Sequence, residues 1–287
     1  MNRLGRPRHR RRRLGAEARA EIAELAAAVA DAHCPAERVA PERIARAKAV
    51  TLSWGRYGPA FDGMLEHLDG RFHIYVNLDR VGRPDAPRAR FTLAHELGHY
   101  YLDAHRRALA AGRAPAHRSR CDWESPNLAE QEADHFAAHL LMPAGRFGRA
   151  LDGVPLDLSG VIALALRFGA SLTAAALRTV ACSAAPCAVV KWNWSGVSWA
   201  RLSSAAFTGR LGAAVDAPAR LPDDAPTRRA LAGEVPPAEG FFTAGATAAT
   251  WFSAVAPGSR RDVLLIEQAI PLGRYGVLTF LRLSPDA

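Results

Sequence analysis

Long apolar runs are missing from this 287-residue chain. No stretch of 18 apolar residues occurs, so no membrane-spanning helix is expected. Nor is there the apolar core of a secretory signal. Residues 16–32, where it would stand, carry Glu17, Arg19, Glu21, Glu24 and Asp31, the texture of an amphipathic helix. Cysteine is scarce. Cys34, Cys121, Cys182 and Cys187 in a chain of this length do not make a disulfide framework, and the cytoplasm is the expected compartment. Acids are absent from the first 13 residues, which hold Arg3, Arg6, Arg8, Arg10, Arg11, Arg12 and Arg13. Those seven account for most of the net charge of +9 and leave +2 for the rest, so the basic pI describes the arm and not the fold. Like charges in a row repel, and residues 1–14 are expected to be a solvated arm with at most a weak, salt-sensitive nucleic-acid contact. No internal repeat is evident.

What is present is a globular composition, 49% apolar. Residues 15–33 place Ile22, Leu25, Ala26 and Val29 on one helical face, and Pro41 opens a short helix through Ala47. Residues 50–57 and 64–78 read as strands, with Phe72, Ile74, Val76 and Leu78 alternating against polar neighbours. Asp62-Gly63 and Asp69-Gly70 are hairpin-type turn signals. Helices are predicted over 88–103 and 127–142, separated by a polar loop and stopped at Pro143. Residues 156–181 read as two short helices, with Gly169 as turn and Ser171 as N-cap, the outline of a helix-turn-helix. The last hundred residues read as a separate α+β domain with strands in 189–202, 241–255, 262–268 and 274–283.

The strongest chemical signal is FTLAHELGHYYL, residues 91–102. His95 and His99 are four apart and therefore one turn apart on one helix face, where both rings can reach one metal ion. Glu96 stands about 100° round the helix, close enough to act as a base without ligating. This is the H-E-x-x-H arrangement of two zinc ligands and a general base. Phe91, Leu93, Ala94, Leu97 and Leu102 are expected to anchor the helix, and Gly98 to leave room between the histidines.

A catalytic zinc site takes three protein ligands and keeps one position open. The segment LAEQEADHFAAHLLMP, residues 128–143, offers Glu130 and Glu132. Glu130 has Asp134 one turn on, so the glutamate can ligate while the aspartate accepts the second ring proton of a histidine. Glu132 has Phe136 there and is the rival. His135 and His139 are read as ordinary helix positions, His105 and His117 as surface histidines, and Cys182 and Cys187 as structural. Zinc lowers the pKa of bound water to about 7, and Glu96 would take and return the proton. Tyr75, Tyr100, Tyr101 and His105 are the candidates for steadying the oxyanion, and the strand at 72–78 is a candidate edge for an extended substrate.

RFTLAHELGHYYL (90–102) and EQEADHFAAHLLMP (130–143), in that order, resemble the ImmA/IrrE family of metallopeptidases, and IALALRFGASLTAAALRTV (162–180) resembles the helical module that often follows its core. The resemblance implies a zincin-like core of helices and a small antiparallel-type sheet, with Zn2+ on His95, His99 and Glu130 and with Glu96 as base. It also implies an endopeptidase that cleaves a DNA-binding repressor and so switches on a stress or mobile-element response. The doubled acids Glu130 and Glu132 and the arginine arm depart from the family pattern. The expected class is α+β: a peptidase domain over 15–150, a helix-turn-helix-like module over 151–185, and a sensor-like, GAF-like α+β domain over 186–287. The competing reading is a DNA-binding or ligand-sensing regulator with a structural metal site. Against it, the 156–181 segment offers only Arg167 and Arg178 for phosphates. The tryptophans Trp192, Trp194 and Trp199 are candidates for a pocket lining in the sensor, or for plain core.

Overall fold

The computed structural model describes residues 14–113, 117–119, 127–203, 221–252 and 263–285. The arginine arm and Cys121 lie outside them. The chain divides into two compact units, Met1–Pro143 and Ala144–Ala287.

In the first unit, α1 (Ala16–His33) buries Ile22, Ala26, Val29 and Ala30, and α2 (Pro41–Ala47) starts on its proline. Three strands follow: β1 (Thr51–Gly55), β2 (Gly63–Leu68) and β3 (Arg71–Asn77). The short α3 (Leu78–Val81) takes Leu78 out of the expected strand, because the Asn77 side chain caps it by accepting from Asp79 N. Next come α4 (Pro87–Tyr101), α5 (Asp103–Ala110), β4 (His117–Ser119) and α6 (Leu128–Leu141). Both α5 and β4 stand where a polar loop was expected.

The sheet has the order β1-β3-β2-β4. It is mixed, not antiparallel-type: β1 runs parallel to β3, while β2 is antiparallel to β3 and to β4. The cause is Asn77, wholly buried at the end of β3. Its amide donates to the carbonyls of Gly58 and Phe61 and its oxygen accepts from Tyr57 N, so the link from β1 to β2 wraps round that strand end. β3 is thereby slotted between β1 and β2. Of the two turn signals, Asp69-Gly70 makes the β2–β3 hairpin, with φ of 50° and 74°. Asp62-Gly63 makes no hairpin. Asp62 is buried and ion-paired to Arg80 and Arg88, each at 2.7 Å, and Gly63 opens β2.

The second unit starts with α7 (Ala144–Leu151), an element with no sequence expectation, then α8 (Leu158–Phe168) and α9 (Leu172–Cys182). Asp157 caps α8 by accepting from Gly160 N, Gly169 ends it in the left-handed region, and Ser171 caps α9. Then come β5 (Cys187–Asn193), β6 (Gly196–Leu202), α10 (Pro226–Leu231), β7 (Phe242–Thr247), α11 (Ala248–Trp251), β8 (Leu264–Pro271) and β9 (Val277–Leu283). The five strands form one antiparallel sheet in the order β6-β5-β9-β8-β7.

Strand alternation gives this sheet two apolar faces. Cys187, Val189, Leu278 and Phe280 meet Leu158, Val161, Ala176 and Val180 of α8 and α9. Ala188, Val190, Trp192 and Leu281 meet Ala230, Trp251 and Phe242 on the other side. The helical segment and the C-terminal strands, expected as separate domains, thus share one core. The 189–202 run is a hairpin and not one strand, which separates the tryptophans: Trp192 is buried against Trp251, whereas Trp194 at the turn is 66% exposed.

Candidate metal centre

Helix α4 forms because Pro87 supplies the first-turn φ and good helix formers follow. It is held by Leu93, Ala94 and Leu97, all wholly buried, while Phe91 and Leu102 are only partly so. Burying each leucine is worth about 2 kcal/mol. Helix α6 starts at Asn127, whose side chain accepts from Ala129 N, and ends before Pro143. The two helices approach closely at Gly98. A Cβ there would lie 3.1 Å from Ala133 Cα and 3.3 Å from Phe136 Cβ. The room that Gly98 leaves is therefore for α6, not between the histidines.

This approach brings together three side chains that the sequence singled out. His95, His99 and Glu130 each offer one ligand atom, all within 4.8 Å of one another and all on buried residues. His95 Nε2 lies 3.5 Å from one Glu130 oxygen, His99 Nε2 lies 3.2 Å from the other, and the two Nε2 atoms are 3.1 Å apart. Two imidazole nitrogens and a carboxylate oxygen facing one point are a donor set that zinc accepts. Asp134, one turn beyond Glu130, takes His95 Nδ1 at 2.8 Å, the contact expected of the E-x-x-x-D pair.

Glu132 does not enter the cluster. Its carboxylate is 2.8 Å from His105 Nε2, and His105 Nδ1 is 3.0 Å from His99 Nδ1. His105 is consequently not a surface histidine; its side chain is 12% exposed. The signal that could have found it was the pair His105 and Glu132 itself, but no local spacing links two residues 27 apart. His135 bonds the Arg19 carbonyl of α1, an interhelix contact. Of the oxyanion candidates, His105 touches His99. Tyr75 donates to Glu66, Tyr100 stands edge-on to Phe72, and Tyr101 stacks on Phe136 with its hydroxyl pushed up to about 12 by burial.

Glu96 is wholly buried on the same helix turn. Opposite it lies Gly63, whose importance sequence inspection missed. A Cβ at Gly63 would sit 2.6 Å from Glu96 Oε1 and 2.6 Å from Thr92 Cγ2. A bare backbone at the start of β2 is therefore what lets the Glu96 carboxylate stand where it does. Asp62, next door, accepts from Arg80 and Arg88 and bonds the Ser119 carbonyl through its own N–H, which pins the strand at this point. Burial alone would raise the Asp62 pKa; the hydrogen bonds and charges of Arg88 and Arg80 outweigh it and hold the carboxyl below its ordinary value. The strand at 72–78, expected as an edge for an extended substrate, is β3, and it is interior, with β1 on one side and β2 on the other. Its edges are taken.

Residues 82–179 match the Peptidase_M78 family model, described as the IrrE N-terminal-like domain. Over those residues the chain is similar to an IrrE N-terminal-like domain. The IrrE-like match takes in α4, α6 and the α8–α9 pair, so it crosses from the first unit into the second. Among solved structures, a Mycobacterium tuberculosis transcriptional regulator is similar in fold, with a TM-score of 0.54 and 14% identity over 92% of this chain and 80% of that one. No curated protein sequence matches. No single helix among the described residues is long and apolar enough to cross a membrane.

Proposed function

We propose that this IrrE-like protein is a zinc-dependent endopeptidase that cleaves a DNA-binding repressor and thereby switches on a stress or mobile-element response. The observation that carries the catalytic part is the convergence of His95, His99 and Glu130 beside a buried Glu96. Zinc, when held by the three, supplies Lewis acidity for the scissile carbonyl and an acidified water at neutral pH. Asp134 accepts the His95 Nδ1–H, which leaves the Nε2 lone pair facing the cluster. Glu96 takes the proton of the attacking water on its carboxylate and passes it to the leaving amine nitrogen. The repressor as substrate and the sensor-like role of the C-terminal sheet rest on the family resemblance, and the cytoplasmic setting rests on the scarcity of cysteine. The DNA-reading alternative gains little from α8 and α9, since α9 packs its Ala175, Ala176 and Val180 onto the sheet.

The test is a substrate trap. Glu96→Gln should keep about one zinc per chain, as a three-ligand site requires, and should enrich one DNA-binding protein that is found shortened beside wild type. His95→Ala should lose the zinc. A zinc-free wild type with intact fold, or wild type and Glu96→Gln both bringing down the same nucleic acid and no protein, would overturn the peptidase reading in favour of the regulator.

A further inference from the structure

The two ligand histidines are braced differently. His95 has a carboxylate, Asp134, directly on Nδ1 at 2.8 Å. His99 has a second histidine there, and that histidine has a carboxylate behind it: His99 Nδ1 to His105 Nδ1 at 3.0 Å, then His105 Nε2 to Glu132 Oε2 at 2.8 Å. The three residues come from α4, α5 and α6, and the His105 side chain is 12% exposed and Glu132's 24%. Protons can be arranged along this line in one sense only if His99 Nε2 is to keep its lone pair for an ion. His99 Nδ1–H donates to His105 Nδ1, and His105 Nε2–H donates to Glu132.

We propose that His105 and Glu132 form a positioning relay that sets the tautomer and ring plane of His99 for metal binding. The proposal rests on the reading of His95, His99 and Glu130 as a metal site. It also explains the doubled acids of α6: Glu130 faces the ion's place, and Glu132, two residues on and therefore turned away by about 200°, is spent on His105. Helix α5 thereby becomes part of the site's scaffold, although none of its residues is a ligand.

The experiment measures metal affinity on the full chain, without reference to peptide cleavage. Co2+ is titrated by its visible absorption and Zn2+ by competition with a chromophoric chelator. The His105→Leu change keeps bulk but removes the acceptor, and should weaken both metals by about 10- to 100-fold and alter the Co2+ spectrum, with metal-free thermal unfolding close to wild type. In His105→Gln the amide oxygen can still accept from His99, and most of the affinity should return. Recovery of that kind is not expected of a merely packed side chain. Should His105→Leu fail to fold, Glu132→Ala decides, with a weakening of at least about threefold expected at the far end of the relay. Wild-type affinity and spectrum in His105→Leu, or in Glu132→Ala where that variant decides, would overturn the relay while leaving the metal site standing. A wild-type chain that binds neither Co2+ nor Zn2+ would overturn both.

Discussion

Both units bury polar side chains, and they use them in opposite ways. In the first, His95, His99 and Glu130 converge on one point from two helices, and Glu96 is buried beside them on the same turn as His95. In the second, the buried acid and amide Glu267 and Gln268 are turned to other parts of the fold. Glu267 accepts from Thr227 N at 2.8 Å and from Trp251 Nε1 at 3.2 Å, Gln268 accepts from Leu158 N at 2.8 Å, and Thr279 bonds both Trp192 and Thr227. Glu267 and Gln268 thus tie α10 and α8 to opposite faces of the sheet through backbone N–H groups at the helix starts. A buried carboxylate is therefore not in itself a sign of function. What separates the two regions is whether the donor atoms meet one another or end on the chain.

The comparison predicts that changes in the first cluster cost chemistry and spare the fold, while those in the second cost the fold alone. The sharpest break is Glu96→Gln, which should remove about 10²- to 10⁴-fold of peptidase rate with zinc content and thermal unfolding kept. Full cleavage of the trapped protein by this variant would refute Glu96 as base. Gly63→Ala comes next. Its methyl would force the Glu96 carboxylate to move, and a displacement of about 1 Å can cost up to about 10²-fold in rate, again with zinc retained in elemental analysis. An unaffected rate would show that Glu96 can shift freely.

Asp62→Ala is the intermediate case, a first-unit residue spent on folding. It strands Arg80 and Arg88, and a loss of about 3 kcal/mol in urea unfolding is expected, at the low end for a buried pair because both arginines reach solvent. The smallest effect belongs to Glu267→Gln, about 1–3 kcal/mol through one mismatched donor, with no change in zinc content or rate.

The pH dependence of the two carboxylates should also run in opposite directions. Asp62 titrates below its ordinary value in the fold, so its contribution is complete above about pH 4 and is lost as pH falls through the lowered value. Glu267 titrates above its ordinary value, with burial the leading cause. The folded form then holds a proton that the unfolded chain has released. Its contribution is complete below about pH 4.3 and fades as pH rises through the raised value. Comparing unfolding of each variant with wild type between pH 3 and 8, as ~1-unit steps that bracket both ordinary values, separates the two slopes; slopes of the same sign would break the contrast.

Much of this molecule was legible before its fold. The histidine pair on α4, the helix α6 with Asn127 and Pro143 at its ends, Ser171 as cap, and Asp134 as partner to a histidine all follow from helix period and end chemistry. Those act within a few residues. The preference for Glu130 over Glu132 came from the same period, through Asp134 one turn on, and Glu130 is the acid that joins the histidines. The placing of His105 behind His99, the space at Gly63 for Glu96, the parallel pairing of β1 with β3 and the shared core of helices and sheet in the second unit did not follow. Each depends on which elements meet: α4 with α6 across Gly98, β2 with α4 across Gly63, the 56–62 link with Asn77. By itself the sequence determined which residues have the chemistry and on which face of which helix they stand, because helix geometry is local. Only the tertiary structure decided what stands behind the histidines, with Glu132 turned to His105 and His105 to His99, because that is settled by side-chain packing between segments far apart in the chain.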